Sequence, residues 1–409
     1  MTAAVAMPSP KSDTHWPAGR GLALIANARM PSQRAQSLQV AQVAGSFARA
    51  GVPTRLLHAR RFPTPDLPAG QDLFDYYAVA PGPRPQVVAV PCWDAIDRTP
   101  RKLQFVPARL QEWSFSKNAA SAVQAKEVVL SREIEAAVQL LRQGHRDVFL
   151  ELHRLPAGKL RRKWLGEALK GVAGVVAISG GVAQDVEALG LPSERLTVAH
   201  DGLDLSPYAD APTQAAARAA IDVPSDVPLV VYTGSLLTWK GVDLLVEAAR
   251  LLPDVRFVIA GGMDADVSAL RERAAGLDNV RLDGFQPPER VPTYLVAGDV
   301  GVVPNRSQPA ISARYTSPLK LFESLGAGLP LVVSDLPSMR DVLEHGVDAW
   351  LVPPDSVEAL ATGIRHLLAD SNLRYHLAKR GRKRAPSFSW DRRADRLLGW
   401  FAQRLEAVQ

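Results

Sequence analysis

Cysteine is nearly absent from this chain of 409 residues, and Cys92 alone can form neither an internal disulfide nor a cysteine-ligated metal cluster. The ordinary reading of such a residue is a small buried apolar group, and its isolation favours a reducing, cytoplasmic setting. Long apolar runs are lacking too: none reaches the ~18 consecutive residues that a membrane-spanning helix needs. Residues 1–20 carry Pro, Ser, Thr and charges but no apolar h-region, so they read as a disordered leader rather than a signal peptide. Aromatic residues make up only 6% of the chain, and the basic runs carry no interleaved platform of them, which counts against nucleic-acid binding. The turn Ala26-Asn27-Ala28-Arg29-Met30 lacks the G-x-G-x-x-G fingerprint, which counts against a nicotinamide dehydrogenase.

What remains is an ordinary globular balance, with 47% hydrophobic and 22% charged residues over a length that suits two domains. The net charge of +6 favours anionic partners in general. Short apolar runs at 22–27, 55–59, 87–90, 148–152, 175–179 and 196–199 alternate with helical patterns, and runs of this length suit strands buried on both faces. Ser131 to Glu135 reads as a helix start, residues 60–85 as an excursion loop with packing tyrosines, and 205–228 as a region containing a domain linker. A second set of strands is expected at 229–233, 256–260, 280–282, 300–303, 331–334 and 350–352. Its best helix places Val242, Leu245, Val246 and Ala249 in one apolar stripe. The expected fold is α/β, with two doubly wound parallel-sheet domains in tandem, and an amphipathic helix over 388–409 docked through its apolar face on a partner that the pattern leaves open.

The stretch from Thr316 to Gly328 carries the sharpest signal. Ser317 is a preferred N-cap, Pro318 suits the first helical position, and glycines close the far end. The amides of Leu319 and Lys320 would then meet an anion, and Glu323, one turn beyond Lys320, would need partners such as two ribose hydroxyls. An ordinary capped helix with a solvated Glu competes evenly with that reading. Gly234, Ser235 and Lys240 lie in a strand-to-helix turn where a diphosphate could bind, and Gly262 ends the next strand in the same plane. Asp264 and Asp266 read as acids at a helix start rather than metal ligands. In the first half, Glu151-Leu152-His153 ends a buried strand, and the polar loop from Asn27 through Arg29 follows the first strand. The basic clusters 161–164 and 379–384 read as solvated helix faces, with contact to an anionic membrane or lipid-linked phosphate as the alternative.

Tyr232-Thr233-Gly234-Ser235-Leu236, Trp239-Lys240-Gly241, and Thr316-Ser317-Pro318-Leu319-Lys320 with Glu323 resemble the donor half of the family 4 retaining glycosyltransferases. Asn27 to Gln39, Glu151-Leu152-His153 and Ala199 to Asp204 are similar to that family's acceptor-side segments, so the likeness spans nearly the whole chain. It implies a GT-B architecture of two Rossmann-like domains facing a central cleft. The expected divisions are an acceptor-side domain over 21–207, a nucleotide-sugar domain over 208–386, and a helix over 387–409 crossing back to the first domain.

The resemblance assigns Lys240 and the amides of Leu319 and Lys320 to the donor diphosphate, and Glu323 to the ribose. His153 goes to the transferred sugar, with Lys240 and Glu323 completing the catalytic set. Gly234, Ser235, Gly262, Tyr315 and Ser317 complete the donor set, and Asn27, Arg29 and Glu151 the acceptor side. The family's first glutamate falls on Tyr315 and its common arginine on Ser235. Recognition of the sugar is therefore expected to differ, as in a subgroup with the Ser-Pro-Leu-Lys arrangement. A phenol cannot accept from sugar hydroxyls as a carboxylate does.

The activity implied is retaining, metal-independent hexosyl transfer from a UDP- or GDP-sugar co-substrate, without a cofactor. The acceptor would be a glycan, a lipid-linked molecule or a small molecule, with cell-surface glycan or glycolipid assembly as the setting. The location implied is the cytoplasm or the inner face of the membrane. A nucleotide-sugar epimerase or hydrolase of similar fold and a non-catalytic nucleotide-sugar-binding regulator are the alternatives.

Overall fold

The computed structural model describes residues 16–407, so most of the expected leader lies outside the described residues. The chain divides into two compact units, one comprising Met1–His200 with Trp390–Gln409 and the other Asp201–Ser389.

In the first unit, strands Gly21–Arg29 (β1), Thr54–Arg60 (β2), Gln86–Pro91 (β3), Glu127–Ser131 (β4), Val148–Leu152 (β5), Gly174–Ala177 (β6) and Leu196–Val198 (β7) form one sheet. Its order is β3-β2-β1-β4-β5-β6-β7, and every pair is parallel. Apolar runs become inner strands here because helices cover both faces. β3 departs from that expectation, since it is an edge strand with most of its residues exposed or half-exposed. β4 was not legible as a strand: Ser131, read as a helix start, instead ends it. The Ser131 hydroxyl donates to the Glu133 carbonyl at 2.8 Å, closing the turn before helix Ile134–Arg142. The tyrosine cluster does pack, with Tyr77 buried and its hydroxyl bonded to the backbone of Ser32. Cys92 is half-exposed rather than buried.

Helix Trp390–Glu406 belongs to this unit and buries Trp390, Leu397, Leu398, Phe401 and Leu405. Phe401 lies 4.1 Å from Phe149 between ring centroids, and Trp400 lies over Gly174, where an added Cβ would come within 2.4 Å of its indole. Glycine at 174 is what lets the indole rest on β6.

The second unit holds Leu229–Thr233 (β8), Arg256–Ala260 (β9), Val280–Gly284 (β10), Val300–Val303 (β11), Leu331–Ser334 (β12) and Trp350–Val352 (β13). The order is β10-β9-β8-β11-β12-β13, again with every pair parallel. The stripe of Val242, Leu245, Val246 and Ala249 is buried as expected, on helix Val242–Arg250. Much of the stretch read as containing a linker is structured and packed into this unit. Helix Gln214–Ala219 buries Ala217, and Arg218 pairs with Asp299 at 2.7 Å. Alanine and proline content signals flexibility only where no apolar partner is available, and here one is.

Because both sheets are parallel, the loops leaving the strands' carboxyl ends gather on one edge of each. That is where ligands bind in this kind of sheet.

Candidate active site

In the second unit, glycines shape the edge. The Gly234 amide donates to the Ala260 carbonyl at 2.9 Å, and an added Cβ on Gly261 would lie 2.2 Å from the Gly234 oxygen. Gly262 is held at φ 91°, with Leu236 where its Cβ would be. The exits of β8 and β9 thus pack backbone on backbone. Ser235 contributes its carbonyl, which accepts the Tyr232 hydroxyl at 2.6 Å and fixes that ring.

Two lysines converge on this edge. Lys320, in the first turn of helix Leu319–Ala327, is 8% exposed, and its Nζ stands 3.4 Å from the centroid of the Tyr232 ring. An added Cβ on Gly234 would come within 3.1 Å of that nitrogen, which has no hydrogen-bond partner. Burial, then the neighbouring charge of Lys240, holds the Lys320 amine well below its usual range, with Glu323 pulling the other way. Lys240 is also 8% exposed, with its Nζ 4.1 Å from the Trp239 ring centroid. Burial pushes its pKa down to about 8, against the pull of Asp201. The charge expected at this strand-to-helix turn is thus enclosed rather than free in solvent. The turn after it needs Gly241, at φ 68°, where an added Cβ would lie 1.9 Å from the Pro304 carbonyl.

The start of helix Leu319–Ala327 differs from the expected cap. Pro318 occupies the N-cap position, and the Ser317 hydroxyl is turned away to accept the Asp201 amide at 2.8 Å. A proline at the cap offers no side-chain acceptor, so the first amides, those of Leu319 and Lys320, gain no cap from it and have no acceptor within the helix. Gly328 closes the other end at φ 67°, as expected. Glu323 is half-buried. Burial raises its pKa to about 7, with Lys320 opposing. Tyr315 ends the π-helical turn Ile311–Tyr315, and its ring lies 5.5 Å from the Arg314 guanidinium.

Sequence reasoning missed several neighbours. Tyr232 and Trp239 carry the two ammonium groups, and Asp201 supplies a countercharge to Lys240. Asn305 is fully buried, with neither end of its amide hydrogen-bonded. It sits between Pro304, whose carbonyl abuts Gly241, and Arg306, whose amide donates to the Trp239 carbonyl at 3.0 Å. No pattern in Val-Pro-Asn-Arg distinguishes it from any strand exit.

In the first unit, Glu151 on β5 is 1% exposed and collects three partners. Arg393, from helix Trp390–Glu406, donates to it at 2.7 Å; His153 Nε2 lies 2.8 Å from it and Arg132 Nε 3.6 Å. Burial works against its charge, but Arg393, His153 and Arg132 outweigh that and hold the carboxyl well below the usual range. Burial, then the Arg132 charge, lowers the His153 pKa to about 4. The imidazole is therefore neutral near pH 7. The hydrogen bond to Glu151 assigns its proton to Nε2, leaving the Nδ1 lone pair 3.5 Å from the Arg132 guanidinium. Arg393 was not anticipated, since its partner is 242 residues away.

Asn27 and Arg29 are both engaged. Asn27 exchanges amide hydrogen bonds with Gln111 at 2.9 and 2.8 Å, and Arg29 pairs with Asp97. The basic clusters are partly committed to structure as well. Arg161 pairs with Glu135 at 2.7 Å, Arg380 and Arg384 share Asp348, and Arg382 donates to the Ala327 carbonyl at a helix end.

Residues 213–384 match the family described as Glycosyl transferases group 1. Among characterised relatives, a D-inositol 3-phosphate glycosyltransferase of Xylanimonas cellulosilytica is 30% identical over 242 residues, 56% of this chain and 56% of that protein. The chain thus spans about half the length of the curated relatives it matches. Among solved structures, sucrose-phosphate synthase from Thermosynechococcus elongatus superposes with a TM-score of 0.75 at 21% identity, covering 95% of this chain and 100% of that one. Anabaena Alr3699/HepE in complex with UDP-glucose gives 0.70 at 16%, covering 95% and 99%. At those identities the likeness is one of fold. Residues 213–384 are thus similar to a glycosyl transferases group 1 domain, in a chain whose fold is GT-B.

Proposed function

We propose that the chain is a retaining glycosyltransferase that moves a hexose-type sugar from a UDP- or GDP-sugar to an acceptor hydroxyl, without a metal or cofactor. The observation that carries this reading is the pair of enclosed lysines, Lys240 and Lys320, set at the start of helix Leu319–Ala327 with the Lys320 amine unpartnered. Two buried amines, one of them lowered further by the charge of the other, call for an anion, and a diphosphate carries enough charge to satisfy both together with the helix amides. Glu323, half-buried beside them, suits two adjacent ribose hydroxyls as acceptor. Support from elsewhere is the domain match over 213–384 and the UDP-glucose complex of a neighbour in fold.

In the reaction, the bond between the anomeric carbon and the β-phosphate oxygen breaks, and its electron pair leaves with the diphosphate. Lys240, Lys320 and the helix amides stabilise that developing charge. The acceptor oxygen bonds to the anomeric carbon on the face the phosphate leaves, and its proton passes to the departing phosphate oxygen. Neutral His153, oriented by Glu151, serves the transferred sugar through a hydrogen bond rather than as an acid. We assign the acceptor to the first unit, on the side of Asn27 and Arg29, and place the enzyme in the cytoplasm or at the inner face of a membrane in glycan or glycolipid assembly.

A panel of UDP- and GDP-sugars incubated with and without membrane extract tests the reading. Sugar transfer that requires the extract supports it; acceptor-independent isomerisation, free-sugar release, or binding without turnover points to the epimerase, the hydrolase or the regulator. The free-state ionisations add a signature. Diphosphate binding needs Lys240 protonated, so affinity falls as pH rises through about 8; ribose binding needs Glu323 ionised, so it also falls as pH drops through about 7. Calorimetric titration with UDP and GDP is expected to give a narrow maximum between those values, and a flat profile would rule out this pair of roles.

A further inference from the structure

Helix Phe105–Ala122 presents several of its large apolar residues outward. Its covered face holds Gln111 and Ser116 along with Phe115, Ala119 and Ala120, while Val106, Leu110 and Trp113 are exposed. Leu103, just ahead of the helix, extends the same row, since positions 103, 106, 110 and 113 fall on one helical face. Phe105, 73% exposed, flanks it, and so does Trp93, 52% exposed, whose amide is tied to Ser114 at 2.9 Å. Solitary exposed apolar residues need no explanation, but a continuous row that ends on one tryptophan and is flanked by another does.

The charges around it have one sign once pairs are removed. Glu112 is held by Arg109 at 2.6 Å, Asp97 by Arg29 and Asp94 by Arg61 at 3.0 Å. Arg98, Lys102 and Lys117 stand exposed, and Lys117 arches over the Trp113 ring at 5.5 Å, with its ammonium beside the apolar row. An apolar row edged by tryptophans and unpaired cations matches the boundary between acyl chains and anionic headgroups. We propose that this face docks the chain on an anionic lipid surface. It is a different surface from the basic clusters at 161–164 and 379–384, several of whose arginines are engaged in internal pairs. The covered side of the same helix grips Asn27 through Gln111, so a lipid-linked acceptor would be met close by. That last extension rests on the transferase reading, whereas lipid docking does not.

Co-sedimentation of the full chain with phosphatidylglycerol vesicles, and with neutral phosphatidylcholine vesicles, tests the docking. Binding is expected to the anionic vesicles, to weaken with salt, and to fall at least about tenfold in the triple variant Val106→Ser, Leu110→Ser, Trp113→Ser. Tyr375→Ser, an exposed aromatic on the second unit, should leave it unchanged. Because the triple change lies on the surface, an unaltered melting profile and unaltered UDP or GDP binding separate lost docking from misfolding. Equal vesicle binding by parent and triple variant overturns the proposal. So does a parent that ignores vesicles, including one that self-associates through this face, as ultracentrifugation would reveal. Nucleotide binding measured on the same samples reports on the transferase reading separately.

Discussion

Lys320→Met is expected to raise the melting temperature of the free protein while lowering turnover with a nucleotide sugar about 10²–10³-fold, the usual loss when a preorganised charge is removed from a leaving group. The two effects share one cause. In the free protein the Lys320 amine is buried over Tyr232 without a hydrogen-bond partner, and an unsatisfied buried donor costs about 1–3 kcal/mol. Methionine keeps the unbranched stem and removes the donor, so the free state is relieved. With the diphosphate bound, the same amine would gain the partner it lacks. Calorimetric melting with and without UDP or GDP separates the terms: the variant should melt higher alone and gain less from nucleotide. A variant that melts lower in both states, with nucleotide affinity unchanged, would show that Lys320 is a packing residue and no more. A gain in stability coupled to a loss of function is the mark of a residue kept for its site.

Glu151→Ala is expected to be the most destabilising single change in the first unit, by about 3–5 kcal/mol, because it leaves Arg393 buried without its carboxylate. Glu151→Gln keeps the shape and should cost less, but it still removes the charge that faces Arg132 and Arg393. Urea unfolding measures both. If Glu151→Ala changes stability by no more than a surface substitution, the cluster does not hold helix Trp390–Glu406 as described. The same site predicts the acid response. His153 and His200 both have pKa values near 4 in the folded chain, lowered chiefly by burial from an ordinary 6.5. Between those values the unfolded chain binds more protons, so stability contributed by their neutral forms is complete above the unfolded value and is lost as pH falls from about 6.5 towards 4. Below that, Glu151, whose folded pKa lies under its unfolded one, adds a further loss as it protonates. Stability that stays constant from neutral pH down to 4 would contradict this.

These expectations divide according to what local pattern can report. Alternating apolar runs and helical stripes were enough for two parallel α/β units, because a strand buried on both faces must be apolar at successive positions. They failed at β4, where a run of only Val128, Val129 and Leu130 abuts a serine that also suits a helix cap. They failed again at 205–228, where alanine-rich composition concealed a helix anchored through Arg218 to Asp299.

At the site, spacing alone marked Lys240, Lys320, Glu323 and the glycines, since turns without room for a Cβ and a short helix leave a local signature. It assigned a cap to Ser317 that the fold uses otherwise, to hold the Asp201 amide. The sequence by itself thus determined the two parallel α/β units and marked the residues we propose meet a diphosphate. Only the tertiary structure decided their ionisation. Burial lowers both Lys240 and Lys320, the charge of Lys240 lowers Lys320 further, and Glu151 gains Arg393 from a helix 242 residues away. Those terms depend on distance and solvent exclusion between segments remote in the chain, which no local spacing encodes.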